Sequence, residues 1–85
     1  MKVKVEFMIP YKEHIESPVI IGLEKESDLG MLVKKLSEEY PVMKRSFESE
    51  IDRPTVSVNG QIVFKMETTL ADGDEIIIFP PVGGG

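Results

Sequence analysis

The chain has no cysteine and no tryptophan, and it contains a single histidine. The absence of cysteine excludes disulfides, thiolate metal sites and cysteine nucleophiles. With only His14 available, a histidine-rich metal site is excluded too, and few conventional acid–base residues are left. The sequence is therefore poor in the side chains that most enzymes use, and we expect no metal site in it.

Basic residues are also scarce, since ten Lys and Arg stand against fifteen Asp and Glu, for a net charge of −5. A nucleic-acid-binding module would show a basic patch, so we expect no nucleic-acid partner. No apolar run approaches the ~20 residues that span a bilayer, and no signal-peptide pattern is present. We therefore expect one small domain of 85 residues that is cytoplasmic and has no membrane partner.

The first part of the chain predicts two strands. Apolar side chains alternate with other residues over positions 2–9, the period of a half-buried strand. The proline-bounded segment 10–18 reads as a polar connecting loop, in which we expect His14 to be solvated. The β-branched run 19–23 predicts a second strand, antiparallel to the first.

One amphipathic helix is predicted next. Ser27 or Asp28 can cap its N-terminus, and Pro41 ends it at Tyr40. Its apolar stripe has helical spacing and is broad enough to cover one face of a sheet: Leu29, Leu32, Val33, Leu36 and Tyr40. The charged segment 42–53 has only isolated apolar positions, and its structure is left open.

The last part of the chain predicts three strands. Residues 55–64 form a hairpin, because Asn59-Gly60 tolerates the positive φ angles of a type I′ turn. Residues 71–74 predict a second turn rather than a calcium loop, since they lack EF-hand spacing, and residues 75–79 predict a final strand. The order β-β-α-β-β-β predicts an α+β domain over residues 1–79, with one main helix on one face of a mixed sheet of about five strands.

The tail over residues 80–85 needs a separate explanation. Pro80 and Pro81 cannot donate to a ladder and stiffen the start of an otherwise flexible tail. Glycines without a Cβ can thread a narrow channel and leave the carboxylate of Gly85 unhindered. Six extended residues reach at most ~20 Å, enough to enter another protein's active site. A cloning remnant or a frayed end is the alternative.

At this point the sequence resembles a known family. The segment Thr69-Leu-Ala-Asp-Gly-Asp-Glu75 and the ending Phe79-Pro-Pro-Val-Gly-Gly-Gly85 are similar to the C-terminus of the MoaD/ThiS sulfur carriers, which have a ubiquitin-like β-grasp fold. The resemblance is closest to the small subunit of molybdopterin synthase, whose members commonly end in Phe-Pro-Pro-Val-x-Gly-Gly. Gly83 then occupies the variable position.

The resemblance implies a mechanism in which the chain itself is not an enzyme. An E1-like, MoeB-like adenylyltransferase would use ATP to adenylate the carboxylate of Gly85, behind Gly84, and a sulfur donor protein would convert it to a thiocarboxylate. The carrier would bind no cofactor of its own. Its tail would then enter the MoaE-like large subunit and give sulfur to a pterin precursor.

Strand parity predicts a docking face beside the tail. If Val3, Val5 and Phe7 face the helix, and the hairpin pairs Val56 with Val63, other apolar residues point away from the core. With the tail, the residues expected to contact a partner are Met8, Ile62, Ile77, Phe79, Pro80, Pro81, Val82 and Gly83. A different hairpin register would instead place some of these residues in the core.

Three alternatives stay open, one of which is a plain interaction domain with an idle tail. Archaeal small modifiers carry nearly the same ending, so the chain could be joined to lysines of other proteins through Gly85. A thiamin-pathway carrier is a further alternative, although such chains are usually shorter and lack the Pro-Pro pair.

Overall fold

The computed structural model describes residues 1–81 and shows a five-stranded mixed sheet with two helices. The elements are β1 (Lys2–Phe7), β2 (Val19–Gly22), α1 (Leu29–Glu39), α2 (Pro41–Glu48), β3 (Thr55–Val58), β4 (Gln61–Val63) and β5 (Glu75–Phe79). The strand order is β2-β1-β5-β3-β4. Strand β5 therefore lies at the centre of the sheet.

Pairing in the sheet joins the two ends of the chain. The predicted antiparallel pairing of β1 with β2 is confirmed, while β5 runs parallel to β1 and antiparallel to β3. Strand β1 ends at Phe7 rather than at Ile9. The carbonyl of Met8 accepts a hydrogen bond from the Lys12 amide, so the chain turns away from the sheet there, and Ile9 is 59% exposed.

Helix α1 begins and ends as its sequence predicts. The Oδ1 atom of Asp28 accepts a hydrogen bond of 2.9 Å from the amide of Met31, which makes Asp28 the N-cap. Tyr40 is the C-cap, and its ring contacts Phe7 edge to face at 5.9 Å. Three leucines of the predicted stripe are fully buried: Leu29, Leu32 and Leu36.

The segment whose structure the sequence left open contains a second helix. Pro41 ends α1 but is also the first residue of α2, a position that needs no backbone donor. The buried side chains of α2 are Met43 and Phe47, four positions apart. Two helices, rather than one, therefore supply side chains to the core.

The loop between β1 and β2 is less polar than expected. It contains a 3₁₀ turn over Tyr11–Glu13, and both Tyr11 and Ile15 are buried, at 5% and 4% exposure. Ser17 returns to the sheet, where its Oγ accepts a hydrogen bond from the Phe7 amide at 2.8 Å. His14 is exposed, as expected.

A single hydrophobic cluster joins the helices to the inner face of the sheet. It contains alternate residues of β1 and β5, together with the buried residues of α1, α2 and the first loop. The sheet contributes Val3, Val5, Phe7, Ile21, Val56, Ile76 and Ile78. Within residues 1–81, no helix has the length and apolar character needed to cross a membrane.

Candidate functional site

The C-terminal tail leaves the middle of the sheet. Ile76 and Ile78 of β5 are buried, and the carbonyl of Ile78 accepts a hydrogen bond of 2.9 Å from the Met8 amide. Phe79 is the last residue of β5 and lies opposite Thr55 of β3. Because prolines have no amide hydrogen, the ladder cannot continue through positions 80 and 81. The tail is thus attached to the central strand of the sheet.

A hydrogen-bonded turn fixes where β5 begins. The carboxylate of Asp74 accepts hydrogen bonds from the side-chain amide of Asn59 and from the Ala71 backbone amide. Asn59 in turn accepts a bond of 2.9 Å from the Glu75 amide, and Asp72 accepts one from the Lys2 amide. The predicted turn is therefore present, and its two aspartates join it to the hairpin and to β1.

The hairpin has the predicted turn and register. Asn59 and Gly60 have φ angles of 50° and 86°, and Val56 lies opposite Val63 while Ser57 lies opposite Ile62. The core residue Val56 therefore places Ile62 on the outer face of the sheet, away from the helices.

The outer face brings the predicted docking residues of the sheet together. Ile77 lies opposite Glu6 on one side and Ser57 on the other, and Ser57 lies opposite Ile62. This row crosses four strands. Alternation places Phe79 on the same face as Ile77, and Met8 on the same face as Glu6.

These outer residues differ in exposure. Ile62 is 46% exposed, whereas Met8, Ile77 and Phe79 are half-buried. The small side chain of Ser57 is buried between its larger neighbours, so the row is nearly continuous. Pro80 is half-buried and Pro81 is exposed, while the predicted site residues Val82, Gly83, Gly84 and Gly85 lie outside the described residues.

A cleft that the sequence did not predict lies where the tail begins. It has a volume of about 340 Å³, and residues of α2, of the segment 50–54 and of the end of β4 line it together with Pro81. Ile51 and Phe64 on its border are the most exposed large apolar residues of the described chain, at 84% and 79%. The helical spacing of Met43 and Phe47 after Pro41 was the available signal for α2, which forms one wall.

Two tyrosines of residues 1–81 have raised pKa values. Burial raises the pKa of Tyr11, and the charge of Asp52 raises it further. Burial also raises the pKa of Tyr40, so both phenols are neutral at pH 7. No cluster of three metal-ligating side chains occurs within this part of the chain, and none of its buried side-chain polar atoms lacks a hydrogen-bond partner.

The chain matches the model of the ThiS family over residues 5–85. It is 32% identical over 65 residues to the molybdopterin synthase sulfur carrier subunit of Mycobacterium tuberculosis, covering 76% of this chain and 72% of that protein. It is also 28% identical over 92 residues to small archaeal modifier protein 3 of Haloferax volcanii, covering 100% of both chains.

The chain is also similar to solved structures of proteins of this kind. A complex of subunits 1 and 2 of the molybdopterin-converting factor from Helicobacter pylori contains a chain with a TM-score of 0.70 and 29% identity, and each chain is covered over 100% of its length. The mixed five-stranded sheet with its helices is the ubiquitin-like β-grasp fold. The chain belongs to the ThiS/MoaD family of ubiquitin-like sulfur carriers.

Proposed function

We propose that this protein is the sulfur-carrier subunit of a molybdopterin synthase and that its reactive group is the carboxylate of Gly85. The observation that carries the proposal is the ending Phe79-Pro-Pro-Val-Gly-Gly-Gly85, which follows directly on the central strand β5. The family match extends to Gly85, and the sulfur carrier subunit of M. tuberculosis is a relative. The chain is proposed to be a substrate and donor, with the catalytic side chains on its partners.

Two steps would make the terminus a sulfur donor. A carboxylate oxygen of Gly85 attacks the α-phosphorus of ATP on an E1-like, MoeB-like partner, and pyrophosphate leaves. Hydrosulfide released by a donor protein then attacks the carbonyl carbon of the acyl-adenylate, AMP leaves, and loss of the S–H proton gives the thiocarboxylate. The chain contributes a terminus without side-chain bulk, which allows close approach to the nucleotide.

The same architecture supports transfer of the sulfur inside a MoaE-like large subunit. The outer face presents Met8, Ile62, Ile77 and Phe79 beside the root of the tail, so one partner can contact both. An apolar patch of this kind is a common mark of a partner site. The H. pylori complex of subunits 1 and 2 supports a partner of this class.

Intact-protein mass spectrometry tests the proposal. The full chain is incubated with ATP, a cognate activating enzyme and a sulfur donor, and we expect its mass to rise by the difference between sulfur and oxygen. Gly84→Ala should slow the conversion strongly, because a Cβ next to the terminus obstructs the channel, while Gly83→Ala at the variable position is the matched control. No mass change in the wild-type chain with an activator that converts its own carrier would refute the proposal.

A second function has support from the H. volcanii relative, a small archaeal modifier protein that matches over the whole of both chains. In that case the activated Gly85 would form an isopeptide bond with lysines of other proteins. Conjugates must be sought with care, because the last basic residue is Lys65 and trypsin would leave residues 66–85 on the target lysine. A Gly83→Arg variant shortens this remnant to Gly-Gly and makes the search direct.

The two functions then give different results. Gly-Gly remnants on lysines that require Gly85 would support the modifier, whereas a carrier recovered only as free chain, with or without terminal sulfur, would support the synthase subunit. The Gly83→Arg chain must first be shown to form the thiocarboxylate, so that a lack of conjugates is informative.

A further inference from the structure

Strand β4 leaves one edge of the sheet unpaired within the described part of the chain. The amide of Asn59 bonds to the carbonyl of Glu75, so Asn59 and Ser57 direct their backbone groups toward β5. Because the backbone N–H and C=O groups of successive residues in a strand point to alternate sides, those of Val56 and Val58 point toward β4. Ile62, opposite Ser57, directs its N–H and C=O away from the sheet.

This edge carries apolar side chains. Ile62 is 46% exposed, and Phe64, the first residue after β4, is 79% exposed. An exposed edge with apolar residues is a template for pairing with another strand. The opposite edge also exposes an apolar residue, Ile20 at 61%, but Pro18 directly before β2 has no amide hydrogen to donate to another strand.

We propose that β4 pairs antiparallel with β4 of a second copy of this chain, with Ile62 of each copy opposite Phe64 of the other. This pairing extends β4 by one residue, to Phe64. Ile62 of each copy and Phe64 of the other then form two backbone hydrogen bonds, which gives four bonds across the two-fold axis. Each isoleucine packs beside a phenylalanine, a favourable cross-strand pair. Val63 lies opposite Val63 of the other copy, and Lys65 lies opposite Gln61.

The self-complementarity of this short segment favours a second copy over a different partner. One register places both exposed apolar residues in contact and sets no like charges directly opposite each other. The contact area is small, and interfaces below about 1,200 Å² are weak. We therefore expect a dissociation constant between roughly 0.1 and 1 mM.

Self-association has a consequence for the carrier, which rests on the proposed function. Ile62 belongs to the outer face that is proposed to contact the large subunit, and it is covered in the dimer. The dimer and the docked carrier are then mutually exclusive, so binding of the large subunit at Ile62 would shift the carrier from dimer to monomer.

Sedimentation velocity and NMR dilution of the full chain alone test the pairing. We expect the mass to rise from monomer toward dimer between low micromolar and low millimolar concentrations. A sample that mixes two isotope labels should show contacts between Ile62 of one copy and Phe64 of the other. Phe64→Asp should weaken association at least about tenfold, whereas Ile20→Asp, at the opposite edge, should leave it unchanged; circular dichroism checks that both variants fold.

Three results would overturn the pairing. They are a monomer at millimolar concentration, a dimer whose intermolecular contacts lie elsewhere, and equal effects of the two substitutions. Impaired binding of the large subunit by Phe64→Asp without any wild-type self-association would assign the edge to that partner instead. None of these results bears on thiocarboxylate formation, so failure here leaves the proposed function to its own test.

Discussion

Asn59 joins the hairpin to the start of β5, and its replacement should measure how firmly the root of the tail is held. Its side-chain amide donates to Asp74 at 2.9 Å and its side-chain oxygen accepts from the Glu75 amide at 2.9 Å. Its φ angle of 50° lies in the left-handed region, which asparagine tolerates better than alanine. One side chain therefore supplies two hydrogen bonds and one backbone preference.

The magnitude follows from these three contributions. Each exposed hydrogen bond contributes about 0.5–1.5 kcal/mol, and alanine at positive φ costs about 1 kcal/mol. Asn59→Ala should therefore lower the free energy of unfolding by about 2–4 kcal/mol. Asn59→Gly accepts the positive φ and loses only the bonds, so we expect a smaller loss of about 1–3 kcal/mol.

Urea unfolding followed by far-ultraviolet circular dichroism measures both losses, and amide exchange at Glu75 provides a local readout. The Glu75 amide should exchange faster in both variants, because its acceptor is gone. A loss below about 0.5 kcal/mol for Asn59→Ala, or an unchanged Glu75 exchange rate, would refute the account of this turn.

Three further predictions concern docking, the core and pH. Ile62→Ala should weaken binding of a large subunit about three- to tenfold in calorimetry at carrier concentrations too low for self-association. At 46% exposure, about half of the 1.5–3 kcal/mol gained by burying an isoleucine side chain is still available to a partner. Ile20→Ala, at a residue 61% exposed on the far edge, is the control, and equal effects of the two substitutions would contradict the docking face. Leu36→Ala should destabilise the domain by about 2–5 kcal/mol in urea unfolding, since its side chain is fully buried, and a loss below 1 kcal/mol would contradict its place in the core. Burial, and to a smaller extent the charge of Asp52, raise the pKa of Tyr11 above 10.0. The stability that this phenol contributes is therefore complete below about pH 10 and is lost as the pH rises through its folded-state pKa. Tyr11→Phe should make the free energy of unfolding fall less steeply at alkaline pH, and an unchanged fall would exclude Tyr11 as its cause.

The features that the sequence predicted depend on neighbouring residues. Asp28 caps the helix that follows it, and Asn59-Gly60 sets its own turn and, through the turn, the register that places Ile62 outward. The β5 strand was predicted with its observed bounds because Pro80 ends it. The chemistry proposed for the tail stays a prediction from the sequence, because Gly83, Gly84 and Gly85 lie outside the described residues.

The features that were missed depend on tertiary contacts or on a second role for a residue. Pro41 ends one helix and begins the next, so taking it only as a terminator concealed α2. Tyr11 and Ile15 look like loop residues until the 3₁₀ turn directs them into the core. The cleft bordered by Ile51 and Phe64 joins segments that the sequence alone could not bring together.

The fate of a labelled sulfur atom tests the central claim most directly. The carrier is converted to its thiocarboxylate with heavy sulfur, purified, and incubated with the large subunit and the pterin precursor, and both products are weighed by mass spectrometry. The account predicts that the carrier returns to its carboxylate mass while the heavy sulfur appears in the pterin product. A carrier that keeps its sulfur beside an active large subunit, or that leaves the reaction bound to lysine through Gly85, would contradict it.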